Sequence, residues 1–482
     1  IIAKAGDIAL DSCKFGSYAI PNVTIGTFGK IIGKLEVTGG NLNIQTGAFT
    51  DLANAVKYAN DGAFIELAEN TTGAGIFLAE GSKDIVIDFD RYTYTVNEAV
   101  GSPGSETQAM HLEKGNTVIL KNGTITSNGE GNVKMLVQNY SNLTLGENMV
   151  LDGTSLSGTG RYVLSNNSGT VNITENASII AKAGDIALDS CKFGSYDIPT
   201  VNVNTSGTIK GKLEVTGGEL QIEKGAFTDL ANAVKYANDG AIIKLAENTE
   251  GAGIFLAKGE KEITIDFNEK TYTVNSAVGS TGTASQAMHL EKGNKVLLKN
   301  GTITSDGQED GNVKMLVQNY SDLTLEDMNL DGRQLIGAGT GRYVLSNNSG
   351  TVNINGNTSI TAKEGDIALD SHKFTGYENA IPTVNVNTSG TIKGKLEVTG
   401  GKVNIEGGTF DGELTTGANY EQGDFVIKGG TFTVDPSAYK HEDSVVEKIG
   451  ENWKVIAPVV ISQTLDLGYH FVLENGVIRF LG

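Results

Sequence analysis

The feature that most constrains this chain is a long internal repeat. The segment IIAKAGDIALDSCKFGSY at 1–18 returns unchanged at 179–196, which is 178 residues later. A third, diverged copy, ITAKEGDIALDSHKF, begins at Ile360. A repeat of this length is built from smaller units, and each of these buries its apolar face only by stacking on its neighbours. The chain is therefore predicted to be a stacked array.

The smaller units are short strand-like runs. KLEVTGGNLNI, DIVIDFDRYTYTV, NTVILKNGTIT and GTVNITENASI alternate apolar and polar residues, and Gly, Asn and Asp separate them. Such alternation is typical of strands with one buried face. The runs recur at the spacing of solenoid repeats, roughly 20–30 residues. We therefore predict an all-β fold, a right-handed parallel β-helix with modules in tandem.

One segment departs from the strand pattern. GAFTDLANAVKYANDGA at Gly47–Ala63, repeated at Gly225–Ala241, predicts a short amphipathic helix with Thr50 or Asp51 as its N-cap. Because the ends of a solenoid expose apolar surface, we predict that this helix caps and opens each module. The predicted domains are 1–46, the end of a truncated upstream module; 47–224 and 225–405, two β-helix modules; 406–457, a closing β segment with the only tryptophan; and 458–482, the start of a further β segment.

Composition and charge narrow the function classes. Gly is 63 of 482 residues, but 39% hydrophobic residues is too many for a disordered chain. The net charge of −20 disfavours nucleic acid and anionic membranes as partners. No run is long enough to span a membrane, so no membrane insertion is predicted.

The two cysteines stand at equivalent places in the repeat. The third copy has His372 where the others have Cys13 and Cys191. We predict partly buried, unreactive thiols that form neither a disulfide nor a metal site.

The order of three motifs gives a family resemblance. TDLANAVKYANDGAIIKLAENT from Thr228, ITIDFNEKTYTV from Ile263 and KVLLKNGTIT from Lys295 follow one another in the second module. The chain resembles the pectate-lyase-like β-helix modules of large Gram-positive cell-surface proteins. GGTFTVDPSAYKHEDSVVEKIGENWKVI, from Gly429, is similar to the closing segment of such arrays. The resemblance implies a secreted or surface-attached, adhesin-like stalk.

Many parallel β-helices cleave polysaccharides, which requires clustered acids or a base beside bound Ca²⁺. The sequence has no Asp-Asp pair, Gly-His-Gly or Arg-x-Lys motif. Turn or ladder roles are favoured for Asp88, Asp266, Asn122 and Asn300, and ordinary strand positions for His111 and His289. We predict no catalytic residue, cofactor or metal, and hence no enzyme.

The predicted function is that of a bacterial surface stalk or adhesin, with weak multivalent binding of host or bacterial glycans or of surface proteins. A bacteriophage fibre or tailspike and a polysaccharide lyase or hydrolase are the alternatives, and the oligomeric state stays open. For each candidate ligand contact, packing against or bracing a nearby loop is the competing role. The candidate ligand-binding residues are Tyr140, Arg161, Tyr162, Tyr320, Arg342 and Tyr343.

Overall fold

The computed structural model describes residues 1–4, 6–337, 342–374, 381–457, 470–474 and 477–481. The N-terminal half consists of short strands and one helix. These elements are β1 (Ile8–Cys13), β2 (Asn22–Ile31), β3 (Lys34–Thr38), β4 (Asn41–Phe49), α1 (Leu52–Lys57), β5 (Ala59–Leu67), β6 (Thr71–Ala74), β7 (Ile76–Leu78), β8 (Asp84–Asp88), β9 (Thr93–Glu98), β10 (Gln108–Leu112), β11 (Thr117–Lys121), β12 (Gly123–Ser127), β13 (Met135–Asn139), β14 (Asn142–Leu145), β15 (Met149–Asp152), β16 (Tyr162–Asn166), β17 (Thr170–Glu175), β18 (Ser178–Ile180), β19 (Ile186–Cys191), β20 (Thr200–Lys210) and β21 (Lys212–Thr216).

The C-terminal half continues in the same way. Its elements are β22 (Glu219–Phe227), α2 (Leu230–Lys235), β23 (Ala237–Leu245), β24 (Thr249–Ala252), β25 (Ile254–Leu256), β26 (Glu262–Ser276), β27 (Gln286–Leu290), β28 (Lys295–Ser305), β29 (Met315–Asn319), β30 (Asp322–Gly332), β31 (Tyr343–Asn347), β32 (Thr351–Asn355), β33 (Ser359–Ala362), β34 (Ile367–His372), β35 (Thr383–Val386), β36 (Thr391–Lys393), β37 (Lys395–Thr399), β38 (Lys402–Ile405), β39 (Thr409–Asp411), β40 (Leu414–Thr416), β41 (Phe425–Ile427), β42 (Gly430–Phe432), β43 (Val445–Ile449), β44 (Asn452–Ile456), β45 (His470–Glu474) and β46 (Val477–Leu481).

The strands follow a repeating order of three. After β11, β12 and β13, the chain returns so that β14 pairs with β11, β15 with β12 and β16 with β13, all in parallel. We call each such set of three a rung and its strands the first, second and third side. In some rungs one long strand, such as β28, covers the first two sides. The prediction of an all-β chain with long parallel sheets is confirmed.

The core is a set of apolar columns that run from rung to rung. On the first side, Val118 is in register with Leu143, and Val171 with Val201. All four side chains are fully buried. Successive side chains of a strand point to opposite faces of the sheet. The residues next to those of a buried column therefore lie on the outer face of the stack. The apolar alternation in the sequence therefore sets which residues line the interior.

Both helices lie inside the stack, and the prediction that they cap its ends is wrong. Strand β22, before α2, pairs in parallel with β23, after it, through Phe227 and Leu245. Each helix takes the place of a third-side strand, so the third side forms three sheets. They run from β1 to β3, from β7 to β21 and from β25 to β40. The domain boundaries remain predictions.

Side chains at the start of α2 form hydrogen bonds with the backbone of β21, the strand at the edge of the sheet that the helix interrupts. Asp229 is the N-cap and accepts a hydrogen bond from the backbone N–H of Asn232 at 3.2 Å. Its other carboxylate oxygen accepts from the backbone N–H of Leu213 at 2.9 Å, and Asn232 Nδ2 donates to the Leu213 carbonyl at 3.3 Å. Asp51 and Asn54 do the same at α1. The helix thus replaces part of the strand pairing.

The parallel order ends near the C-terminus. Strand β44, with Trp453, pairs antiparallel with both β42 and β43, and β45 pairs antiparallel with β46. Within the described ranges, no helix is long and apolar enough to cross a membrane.

Both thiols are free in the described part of the chain. Cys191 is half-buried as predicted, and burial raises the pKa of its thiol. Cys13 is exposed, which corrects the prediction of partial burial there, because β1 pairs only with β3 among the described residues, whereas β19 lies between β16 and β21.

Candidate functional site

The outer face of the third side carries a row of residues, one per rung, that begins with a phenylalanine and is otherwise polar. From β7 to β21 this row is in register along neighbouring strands. The sheet that runs from β25 to β40 repeats the same order of residue types. We call these the outer rows. The first consists of Phe77, His111, Gln138, Ser165, Asp189 and Glu214, and the second of Phe255, His289, Gln318, Ser346, Asp370 and Glu397.

The histidine of each row is covered by aromatic rings. His111 stacks on Phe77 with ring centroids 5.1 Å apart and lies 5.7 Å from the ring of Tyr140. Its Nε2 is 2.8 Å from Glu113 Oε1, and its Nδ1 has no hydrogen-bond partner among the described residues. With 2% of its surface exposed, His111 has no open path to a substrate. His289 has the same surroundings.

A chain of hydrogen bonds links Tyr140 to Asp189. Gln138 Nε2 donates to Tyr140 Oη and to Asn167 Oδ1, both at 3.1 Å. Asn167 Nδ2 donates to Ser165 Oγ at 3.2 Å, and Ser165 Oγ donates to Asp189 Oδ2 at 2.7 Å. Burial raises the pKa of Tyr140 to about 12, with Glu113 adding to the shift. The phenol is therefore neutral and fixed in orientation.

Tyr140 forms part of the floor of an open groove of about 690 Å³. The loop after β19 supplies one wall through Tyr196, whose ring centroid is 5.2 Å from that of Tyr140. Lys114 Nζ lies 5.7 Å from the Tyr196 ring centroid. We call this the first groove. Its lining residues are Lys114, Gly115, Tyr140, Ser141, Asn142, Ser168, Gly169, Thr170, Ser195, Tyr196, Asp197 and Ile198.

A glycine turn brings the backbone close beneath this groove. Gly169 has φ = 67°, and a Cβ at this position would lie 2.3 Å from the carbonyl oxygen of Ser141. No other residue type fits that approach without a shift of the backbone. The turn sets Asn142 beside Thr170, whose backbone N–H donates to Asn142 Oδ1 at 3.3 Å.

The two aspartates of the outer rows have strongly shifted acidities. Burial raises the pKa of Asp189 to about 6 and that of Asp370 to about 7, and the neighbouring glutamates add to both shifts. Ser165 donates to Asp189, whereas Ser346 and Thr399 donate to Asp370, each at 3.1 Å. These hydrogen bonds oppose the shift only in part. Both carboxyls thus change charge near neutral pH.

The predicted arginines pair with acids of the next rung. Arg161 Nη2 is 2.8 Å from Asp185 Oδ1, and Arg342 Nη2 forms the same ion pair with Asp366. These ion pairs are contacts of the bracing kind, and the ligand contact of both arginines stays a prediction. Tyr162 and Tyr343 are half-buried, and burial raises the pKa of each. They lie beside the outer rows, outside the lining of the first groove.

The structure supports the turn roles favoured for Asp88 and Asn122. Asp88 accepts hydrogen bonds from the backbone of Asp90 at 2.9 Å and from Asn122 Nδ2 at 3.1 Å. Lys121 Nζ is 3.2 Å from the same carboxylate. Asn122 has φ = 59°, the left-handed conformation of a turn. Asp266 and Asn300 repeat these contacts in the second module.

Comparison with known proteins gives one distant relative. The chain is 24% identical over 389 residues to outer membrane protein B of Rickettsia rickettsii. This alignment covers 79% of the chain but only 20% of the relative, so the chain spans about a fifth of that protein's length. No protein-family description matches the chain, and no solved structure matches it. The resemblance to Gram-positive surface modules stays a prediction.

Of the predicted site residues, Tyr140 lies at the first groove, and Tyr320 occupies the equivalent place in the second module. Sequence reasoning missed Tyr196, Asn142, Thr170 and the outer-row aspartates. One signal was available for the aspartates. IALDS repeats three times, and its alternation places Asp on the face opposite Leu. The contact of the 192–199 loop with Tyr140 joins distant segments and had no local signal.

Proposed function

We propose that this chain is a section of a right-handed parallel β-helix rod at a bacterial cell surface, which binds glycans weakly and catalyses no reaction. The observation that carries the proposal is the first groove, where Tyr196 and Tyr140 lie beside polar side chains. Sugar rings pair an apolar face with a rim of hydroxyls. Tyrosine rings flanked by amide, hydroxyl and backbone groups match both parts.

Three further observations support this proposal. Parallel pairing from rung to rung builds a long stack without a globular core. The near-identical repeats suit length or multivalency, because neither needs one unique site. The distant relative is named an outer membrane protein, which fits a surface location.

The test is a glycan array and titration with the wild type and Tyr196→Ala. Loss of a stacking ring is expected to weaken glycan binding about tenfold, or about 1.4 kcal/mol. Tyr236→Ala is a matched control, because Tyr236 is also half-buried and lies under a lysine, with Lys235 Nζ 4.9 Å from its ring centroid. The control should bind like the wild type.

Equal binding by wild type and Tyr196→Ala would reject the first groove as the glycan site. The lyase or hydrolase alternative retains one structural feature, since Asp189 and Glu214 are in register on adjacent strands. Release of new reducing ends or unsaturated sugars from a bound polymer would favour that alternative over a non-catalytic stalk.

A further inference from the structure

The second module repeats the floor of the first groove. Tyr320 is 7% exposed, and its ring centroid lies 5.6 Å from that of His289, as the Tyr140 ring lies against His111. The backbone N–H of Thr351 donates to Asp322 Oδ1 at 3.0 Å, as that of Thr170 donates to Asn142. We call the surface at Lys292, Tyr320, Asp322, Ser349 and Thr351 the second groove floor.

The same tight turn underlies both floors. Gly350 has φ = 70°, and a Cβ there would lie 2.2 Å from the carbonyl oxygen of Ser321. This matches Gly169 against Ser141 in the first groove. The two floors are thus equivalent in backbone conformation as well as in residue type, apart from Asp322 in place of Asn142.

The stack fixes the distance between these floors. From β14, which follows Tyr140, to β30, which follows Tyr320, there are seven parallel strand-to-strand steps, and none is interrupted on the first side. At roughly 4.8 Å per step the floors are about 34 Å apart. The second copy is in the same register, so both floors lie on the same side of the stack.

The charges near the first groove favour a ligand without charge. Lys114 Nζ is already paired with Glu80 at 3.4 Å, and Asp197 is a second lining charge of the opposite sign. A polyanion would also be repelled by the chain's net charge of −20. Hydroxyl, amide and backbone groups make up most of the rest of the lining, and they suit sugar hydroxyls.

We propose that one neutral polysaccharide chain occupies the first groove and the second groove floor at the same time. This inference rests on the proposed function, and it adds the ligand class and the geometry of engagement. Binding at the second floor is intramolecular once the first groove is filled. Two weak contacts about 34 Å apart then give an affinity about 10²–10⁴ times that of either alone.

The experiment compares neutral glucan, mannan and galactan with their trisaccharides by titration calorimetry. Thr170→Arg blocks the first groove, and Thr351→Arg blocks the second floor with the same change in size and charge. Thr124→Arg, at a half-buried threonine on the second side, is the control. We expect a polymer to bind the wild type and the control at least 100-fold more tightly than its trisaccharide.

Each single variant should lower polymer affinity to about that of the trisaccharide, while one trisaccharide still binds per chain. The double variant should bind neither. If each single variant changes polymer affinity by no more than about twofold, the sites act independently and the inference is overturned. If no saccharide binds the wild type, the proposed function itself fails, so the two failures are distinguishable.

Discussion

Asp370 is a buried carboxyl whose ionisation opposes folding. Burial raises its pKa to about 7, against an ordinary value of 3.8. A raised pKa means that the folded state binds the proton more tightly than the unfolded state. The extra affinity of the folded state for this proton adds to the free energy of unfolding. This contribution is complete below about pH 4 and is lost as the pH rises to about 7. A shift of this size corresponds to about 4 kcal/mol.

We expect Asp370→Asn to remove this part of the pH dependence, because the amide does not ionise. Urea unfolding at pH 4, 6 and 8 measures it, as the difference between variant and wild type at each pH. The variant should gain stability relative to the wild type as the pH rises. Asp11→Asn is the control at the equivalent, exposed position. A difference that is constant with pH would contradict the prediction.

At the residue scale, the sequence predicted turns better than it predicted sites. Asp88 and Asn122 each lie in a turn formed by neighbouring residues of the chain, so local patterns suffice to predict these turns. The contacts of Tyr196 and the burial of Asp370 depend on which residues of other rungs pack against them. A loop from one rung packs on Tyr140 of an earlier rung, and alternation within a strand carries no information about that contact.

Helix α2 lies where the third side is interrupted, between the sheet that ends at β21 and the sheet that begins at β25. Asp229 holds two backbone N–H groups, one at the helix start and one on the edge of β21. Asp229→Ala removes an N-cap and leaves the N–H of Leu213 without its partner. We expect a loss of about 2–4 kcal/mol in the free energy of unfolding.

Urea unfolding followed by circular dichroism measures this loss. Asp229→Asn keeps an acceptor oxygen at the cap, so it should cost less than the alanine variant. Asp51→Ala at α1 should cost about as much as Asp229→Ala, because the contacts are the same. A cost below about 0.5 kcal/mol would show that the cap does not stabilise the interruption.

The sequence predicted the existence of both helices but not their place. Their apolar face, including Leu230 and Val234, is buried as the periodicity indicates, and Asp51 is the N-cap at α1. A helix that closes the end of a stack and a helix that replaces a strand within the stack have the same amphipathic sequence pattern. Only the pairing of β22 with β23 across the helix distinguishes the two, and pairing is not local.

At the scale of the whole molecule, the uninterrupted first side indicates one cooperative unit, whereas the repeat pattern alone does not decide whether the predicted modules form one continuous rod. Strands on both sides of each helix are paired, β4 with β5 and β22 with β23. In a stack, stability spreads through nearest-neighbour contacts, and a weak junction is what lets segments unfold separately. No first-side strand from β4 to β41 lacks a parallel neighbour among the described residues.

This arrangement predicts that a destabilising substitution in the first module also lowers the stability of the closing segment near the C-terminus. Trp453, the only tryptophan, reports on the closing segment, while circular dichroism reports on all strands. Asp51→Ala should lower the midpoint of both transitions by the same amount in urea. If 47–224 and 225–405 unfold independently, the Trp453 transition should keep its wild-type midpoint while the dichroism transition splits in two. Coincident shifts would mean that the repeat unit of the sequence is not a folding unit.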